Sequence, residues 1–178
     1  SLYDHPAGFT YNVTKPNSGV ILDEQGMDVY GSALNIYGGG YGKDSEIWGS
    51  TTINLIKGYV FQVFGGSDHG VIGKSREDSG ESPQAEDYVF NGKHYAYNPA
   101  YSTTVNLNGE RSGTTRANDS NPDMAETEFI YGGGFEGPVI GDTHINLGNG
   151  RIFNSWAGAC NGDVVGHAET HIGKWEDK

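Results

Sequence analysis

The sequence predicts an all-β fold, a parallel β-helix or solenoid whose repeat period is about 27 residues per coil. Two segment types recur along the chain, an aromatic residue followed by glycines and a strand of the Thr-x-Ile-x-Leu type. The 29 Gly, 11 Tyr and 7 Phe among 178 residues are typical of short strands joined by tight turns. No segment has the long helical periodicity that would predict an α-helix.

The repeat is clearest in the second half of the chain. Residues 131–141 (YGGGFEGPVIG) and 156–166 (WAGACNGDVVG) share the same spacing of aromatic, small and apolar residues. The strand beginning at Asp142-Thr143 matches Glu169-Thr170, one predicted coil further on. This alignment predicts that Thr143 and Thr170 occupy equivalent positions in adjacent coils.

The first half of the chain carries the same pattern. Tyr37 and Phe64 each precede a glycine cluster and are separated by the same interval as Thr143 and Thr170. The strand STTINL at 50–55 belongs to the first of these units, and STTVNL at 102–107 belongs to the second. Four units are recognisable, and an incomplete one precedes them and ends near Val29. We therefore predict one domain over residues 1–178, with coils over about residues 29–173.

Strand alternation predicts which side chains face the core. Thr51, Ile53 and Leu55 share one face, which we assign to the interior, and Thr52 and Asn54 share the other. Successive coils are expected to stack at ~4.8 Å, so that the aromatic residues before the glycine clusters stack on one another. An antiparallel sandwich or barrel is the competing fold, but it does not explain the repeated spacing.

The combination of aromatic-Gly-Gly-Gly, Val-Ile-Gly-Asp-Thr and Ile-Asn-Leu resembles repeats of large secreted or surface-anchored bacterial proteins of the adhesin type. The resemblance covers about residues 29–173 and implies a right-handed parallel β-helix. Such repeats serve as stalks, adhesins and scaffolds that bind or cleave polysaccharides. Ala157 and Ala159 depart from the pattern by replacing glycine, and the resemblance supplies no catalytic residues.

Two insertions interrupt the repeat. One covers about residues 74–101 and the other about residues 110–128, and both leave the same coil. Insertions in solenoids form loops on the flank, which are common binding sites.

The first insertion contains a predicted β-hairpin. Asn91-Gly92 lies between two short runs rich in aromatic residues, which is the pattern of a type I′ turn. The aromatic rings of these runs can stack on sugar rings, and the tyrosine hydroxyls can form hydrogen bonds with sugar hydroxyls. The alternative is that the same rings pack on the wall of the coils. The candidate ligand-binding residues are Tyr88, Phe90, His94, Tyr95, Tyr97 and Tyr101.

The second insertion offers alternating oxygen ligands at Asp119, Asn121 and Asp123, which makes calcium a candidate there. Met124 stands where an EF-hand loop requires glycine, so a solvated loop is the alternative. His144 and His171, one predicted coil apart, form either a transition-metal pair or an exposed pair. No cofactor is required by the sequence.

The net charge of −12 argues against binding to nucleic acid or anionic lipid. Cys160 is the only cysteine, so no internal disulfide can form. No apolar run reaches the ~20 residues of a membrane-spanning helix. We expect the sequence to be an excised part of a longer protein, with further repeats as its neighbours.

These observations predict a non-enzymatic extracellular or cell-surface module, an adhesin or structural stalk that contacts glycans through the hairpin. Carbohydrate and host or cell-surface components are the expected partners. The alternative is a polysaccharide lyase or hydrolase on a β-helix, which would need a charged cleft across several coils. The outward strand positions are Thr, Asn and His, which favours the non-enzymatic function.

Overall fold

The structure is a computed structural model, and it describes residues 9–13, 21–22, 28–29, 33–56, 58–108 and 125–173. It is an all-β fold with parallel sheets and almost no helix. Its strands are β1 (Phe9–Val13), β2 (Ile21–Leu22), β3 (Asp28–Val29), β4 (Ala33–Tyr37), β5 (Glu46–Ile47), β6 (Thr51–Leu55), β7 (Gly58–Phe64), β8 (Val71–Ile72), β9 (Tyr88–Phe90), β10 (Lys93–Tyr95), β11 (Thr103–Leu107), β12 (Ala125–Tyr131), β13 (Thr143–Leu147), β14 (Arg151–Trp156) and β15 (Ala168–Ile172).

The largest sheet contains five parallel strands in the order β1-β6-β11-β13-β15. The pairing places Ile53, Val105 and Ile145 side by side, and all three are fully buried. On the opposite face, the Asn106 amide donates to Asn54 at 2.8 Å, and the Asn146 amide donates to Asn106 at 2.7 Å. The predicted inward and outward faces of this strand are therefore confirmed.

The second sheet contains four parallel strands in the order β4-β7-β12-β14. Its register aligns Tyr37, Phe64, Tyr131 and Trp156, the aromatic residues that precede the glycine clusters. Their rings stack face to face with centroids 4.8–4.9 Å apart. This spacing equals the separation of neighbouring strands, and it confirms the predicted stacking.

A short third sheet pairs β5 with β8. Isolated parallel bridges extend this sheet, because Ile72 pairs with Val139 and Val139 pairs with Val164. The main apolar core lies between the two large sheets and includes Ile53, Val63, Val105, Ile130 and Ile145. A smaller buried cluster is formed by side chains along the third sheet, Ile47, Ile72 and Val139.

Glycine follows the stacked aromatic residue because the backbones approach closely there. A Cβ on Gly38 would lie 2.0 Å from the Gly65 carbonyl oxygen, and one on Gly65 would lie 2.2 Å from that of Gly132. A Cβ on Gly132 would meet the Ala157 carbonyl oxygen at 2.1 Å. Three successive turns therefore exclude any side chain, and the aromatic-Gly pattern follows from this contact.

The predicted alignment of the last unit is wrong by two residues. Ala168, not Thr170, lies opposite Thr143, and Thr170 lies opposite Ile145. Ala168 follows Thr143 by the same number of residues that separates Trp156 from Tyr131. The sequence alignment had used the longer interval between Thr143 and Thr170. Thr170 still shares the inward face of the sheet, because a shift of two residues preserves the side on which a strand residue points.

The structure also extends the repeat towards the N-terminus. β1 pairs with β6 so that Thr10 lies opposite Thr52 and Asn12 opposite Asn54. The predicted coils begin near residue 29, but Val29 instead pairs with Ile21 in a short antiparallel ladder. The shared Thr-x-Asn spacing is the signal that could have revealed β1 in the sequence. At the second insertion, residues 125–128 already belong to β12.

Candidate functional site in the first insertion

The first insertion forms the predicted hairpin. β9 and β10 pair antiparallel, with Tyr95 opposite Tyr88 and Lys93 opposite Phe90. The two turn residues, Asn91 and Gly92, have φ of 50° and 78°. Both lie in the left-handed region that a type I′ turn requires, so the Asn-Gly signal is confirmed.

A short helix, α1 (Arg76–Ser79), leads into the hairpin. Ser75 caps its first turn by accepting a hydrogen bond from the Asp78 backbone N–H. The Arg76 guanidinium donates to both Asp87 oxygens at 2.7 and 2.8 Å, and also to Glu81 at 2.8 Å. This ion pair, in which Nε of Arg76 is shared between the two Asp87 oxygens, ties the start of the insertion to the segment just before β9.

A polar network joins the hairpin to the coils. The Lys93 ammonium donates to buried Glu46 at 2.8 Å and to Asp78 at 2.7 Å. The Trp48 indole N–H donates to the other Glu46 oxygen at 2.7 Å. The hydrogen bonds from Lys93, and then from Ser75, hold the pKa of Asp78 below its usual value. Glu46 thus has donors from two separate parts of the chain.

Tyr95 belongs to the interior. Its side chain is 2 % exposed, and its hydroxyl donates to Glu46 at 3.0 Å. Burial and the neighbouring Glu46 carboxylate raise the pKa of Tyr95. Its ring packs with Val71 and Ile140, so it holds the hairpin on the coils and does not present a face to a ligand.

Two further tyrosines direct their hydroxyls at carboxylates of the coils. Tyr88 donates to Asp163 at 2.7 Å, and Tyr97 donates to Asp142 at 3.1 Å. Partial burial, followed by the carboxylate, raises the pKa of both phenols. Three of the tyrosine hydroxyls that the sequence offered to a ligand, those of Tyr88, Tyr95 and Tyr97, therefore bond within the protein.

The remaining predicted residues divide between the core and the surface. Phe90 and Tyr101 are half-buried against the cluster that contains Tyr95. The His94 ring nitrogen Nδ1 lies 2.7 Å from Glu77 Oε1. Tyr97, with 47 % of its surface exposed, and Val89, with 55 %, are the large apolar side chains that remain accessible. Val89 was not predicted as a site residue, although it alternates with Tyr88 and Phe90 and so points the other way.

The proposed calcium ligands Asp119, Asn121 and Asp123 lie outside the described residues. The predicted pairing of His144 with His171 is wrong, because Glu169 lies opposite His144 and Asn146 lies opposite His171. Both rings nevertheless lie near one oxygen, Glu169 Oε1, at 2.7 and 3.1 Å. In the part of the chain that the structure describes, no group of three His, Cys, Asp or Glu side chains could hold a metal ion.

A second polar cluster lies outside the hairpin and was not predicted. The His69 ring lies between two carboxylates, with Nδ1 2.6 Å from buried Asp68 and Nε2 3.1 Å from exposed Glu136. Tyr41 and Phe135 flank the imidazole edge-on. Asp68 and His69 are adjacent in sequence, but Tyr41, Phe135 and Glu136 come from other turns, which the stacking of the strands brings close to the imidazole.

The exposed side of the hairpin is a surface of mixed polarity. Its accessible part is a tyrosine ring, a valine and the edge of an imidazole, while its carboxylates are paired with Lys93, Arg76 or His94. Comparisons of the chain with protein-family models, curated proteins and solved structures found no match. No helix among the described residues is both long and apolar enough to cross a membrane.

Proposed function

We propose that the chain is a segment of a parallel β-helix, with one coil for each repeat, that serves as a non-enzymatic extracellular or cell-surface module. The observation that carries this proposal is the residue-by-residue register of like side chains across adjacent strands. Thr51, Thr103 and Thr143 are aligned, and so are the aromatic residues of the second sheet. Each coil completes the core of its neighbour, which is the stabilisation expected of a stalk or adhesin.

The last described strands support continuation of the same stacking. β14 and β15 are the terminal strands of their sheets in the described structure. Ile172 is 83 % exposed, although it aligns with Leu147 on the inward face. Another coil of the same repeat would cover it, so neighbouring repeats are the partners that this end of the sheet fits.

Within this function, we place glycan contact on the exposed side of the hairpin. Tyr97 and Val89 are exposed there, His94 lies opposite Val89 in the hairpin, and the polar network beneath holds the hairpin on the coils. A rigid aromatic anchor binds with a low entropic cost. The expected ligand is a carbohydrate of the surface that the module contacts.

The test is titration of a panel of soluble oligosaccharides, first selected on a glycan array with the intact chain. Tyr97→Ala should weaken binding by ~1 kcal/mol or more, as loss of an aromatic anchor does. Tyr95→Phe is the matched control, because it alters a buried hairpin tyrosine and leaves the exposed surface unchanged. Equal affinity of Tyr97→Ala and the parent chain would rule out the hairpin as the contact.

One observation favours polysaccharide cleavage as a second candidate function. In the cluster around His69, a buried carboxylate orients an imidazole beside an exposed carboxylate, an arrangement suited to general acid-base chemistry. Release of reducing ends from neutral polysaccharides, lost in His69→Ala, would establish this activity. If the parent chain releases no reducing ends from any polysaccharide of the panel, the non-enzymatic function is the one that remains.

A further inference from the structure

The outer face of the second sheet carries a strip of exposed rings. Phe61 and Phe129 meet edge to face with centroids 5.5 Å apart, and Phe129 meets Phe153 in the same way at 6.1 Å. Trp156 lies 6.0 Å from Phe129 and is 43 % exposed. Phe153 is 72 % exposed, so the strip is open to solvent at its β14 end.

The geometry of the strands explains why this strip forms. β7 and β12 each bury a pair of residues, such as Val60 and Val63, and leave two consecutive residues between them on the outside. The first outward residues of β4, β7, β12 and β14 are, in that order, Leu34, Phe61, Glu128 and Phe153. We call this line the ring column, after Phe61 and Phe153. In β12 the next residue, Phe129, fills the gap that Glu128 leaves among the rings.

A second line of side chains runs beside the ring column. It consists of Asn35, Gln62, Phe129 and Asn154, which align across the four strands, and we call it the amide column. The Asn35 amide is 3.4 Å from the Tyr37 hydroxyl. Among the described residues, the side-chain amides of Gln62 and Asn154 have no hydrogen-bond partner. Their donors and acceptors are therefore available to a ligand.

The charge of this face limits the class of ligand. The charged residues of the four strands are Glu126, Glu128 and Arg151, and Arg151 pairs with Glu126 at 3.2 Å. Glu128 remains beside the rings, in a chain with a net charge of −12. An anionic ligand would be repelled, whereas rings beside neutral amides match a neutral sugar, whose C–H face is apolar and whose rim carries hydroxyls.

We infer that the outer face of β4, β7, β12 and β14 is a binding site for a neutral polysaccharide lying across the four strands. A ring and a neighbouring amide occur together on β7, as Phe61 and Gln62, and on β14, as Phe153 and Asn154, and β12 between them contributes the ring of Phe129. Since β7 and β14 are two strand separations apart, or ~9.6 Å, a polymer of repeating sugar units can make this pair of contacts at both strands and stack on Phe129 between them. This inference is independent of the role proposed for the hairpin, which lies on a different part of the molecule.

The experiment uses the whole chain and titrates it with cellohexaose, xylohexaose and mannohexaose, with hexagalacturonate as the charged comparison. At least one neutral hexasaccharide should bind, more tightly than the acidic one. The double variant Phe153→Ala/Asn154→Ala should weaken that binding about tenfold or more, the effect of removing a binding hot spot. Both side chains are exposed, so the variant should keep the parent's melting temperature. Gln62→Ala, from another strand, should also reduce the affinity.

Ile172→Ala, which removes an exposed apolar side chain from the first sheet, is the control and should bind as the parent does. A loss of binding with Tyr97→Ala alone would assign the sugar to the hairpin and overturn the sheet-face site. Failure of all neutral probes, or unchanged affinity in both sheet-face variants, would overturn it as well. Sedimentation equilibrium completes the test: self-association that the double variant abolishes would identify a second copy as the occupant of this face.

Discussion

The rings of Tyr131 and Trp156 lie face to face, with centroids 4.8 Å apart and planes inclined by 10°, although a whole repeat separates the two residues in the sequence. The contact repeats on the other side of Tyr131, where Phe64 stacks at 4.9 Å. Strand separation and ring stacking therefore have the same period, and each ring adds a contact wherever a strand is added.

Phe64 is the most enclosed member of this stack, with Tyr37 and Tyr131 on its two faces and 1 % of its surface exposed. Phe64→Ala should lower the free energy of unfolding by ~3–5 kcal/mol, because it removes buried area and interrupts the stack. Phe64→Leu retains most of the apolar volume and should cost less. Denaturant unfolding of the two variants measures both effects, and a Phe64→Leu variant as stable as the parent would mean that ring stacking contributes nothing beyond burial.

Ile145 and Ile172 test how much burial the stacking of strands provides. Both residues lie on the inward face of the first sheet, but Ile145 is fully buried in β13 and Ile172 is 83 % exposed in β15. Ile145→Ala should lower the free energy of unfolding by ~2–5 kcal/mol. Ile172→Ala should change it by less than about 0.5 kcal/mol. A large effect at Ile172 in the isolated chain would contradict the open end of the sheet.

Gly65 lies in a turn where no side chain fits, since a Cβ there would meet the Gly132 carbonyl oxygen at 2.2 Å. Gly65→Ala should therefore push two stacked backbones apart and destabilise the protein by roughly 1–3 kcal/mol. Gly158, which lies two residues after Trp156 in the last stacked turn, has nothing within 4 Å of a Cβ placed on it and is the control. Thermal melts of Gly65→Ala and Gly158→Ala should differ, and similar melting temperatures would refute the close approach.

The network under the hairpin should respond to acid. The pKa of Asp78 is lower in the folded protein than its unfolded value of about 3.9, chiefly through the hydrogen bond from Lys93. Its stabilising contribution is therefore complete above that unfolded value and is lost as the pH falls through the lower, folded pKa. Limited proteolysis of the insertion should accelerate below about pH 4.

Lys93→Met is the control for this acid response. It removes the cation that lowers the pKa of Asp78, so the insertion should be cleaved faster at neutral pH and should show a smaller further change in acid. An acid response of the same size in Lys93→Met and the parent chain would show that other groups cause it.

Local sequence patterns were sufficient to predict several features of the fold. Alternation in Thr51–Leu55 determined the buried face, because a strand has a period of two and only one side of it carried Ile and Leu. Asn91-Gly92 determined the hairpin, because its two residues readily take positive φ. The aromatic-Gly pattern identified the stacked rings, because only glycine fits where successive turns touch.

The tertiary structure decided what these elements contact. The sequence showed that the hairpin carried tyrosines, but the positions of Glu46, Asp142 and Asp163 determined where their hydroxyls bond. The register of the last strand differed by two residues from the sequence alignment, because both alignments put the same faces inward and only the pairing distinguishes them. The exposed strip around Phe129 had no continuous sequence signal, since its rings come from separate strands and meet only when the strands stack in parallel.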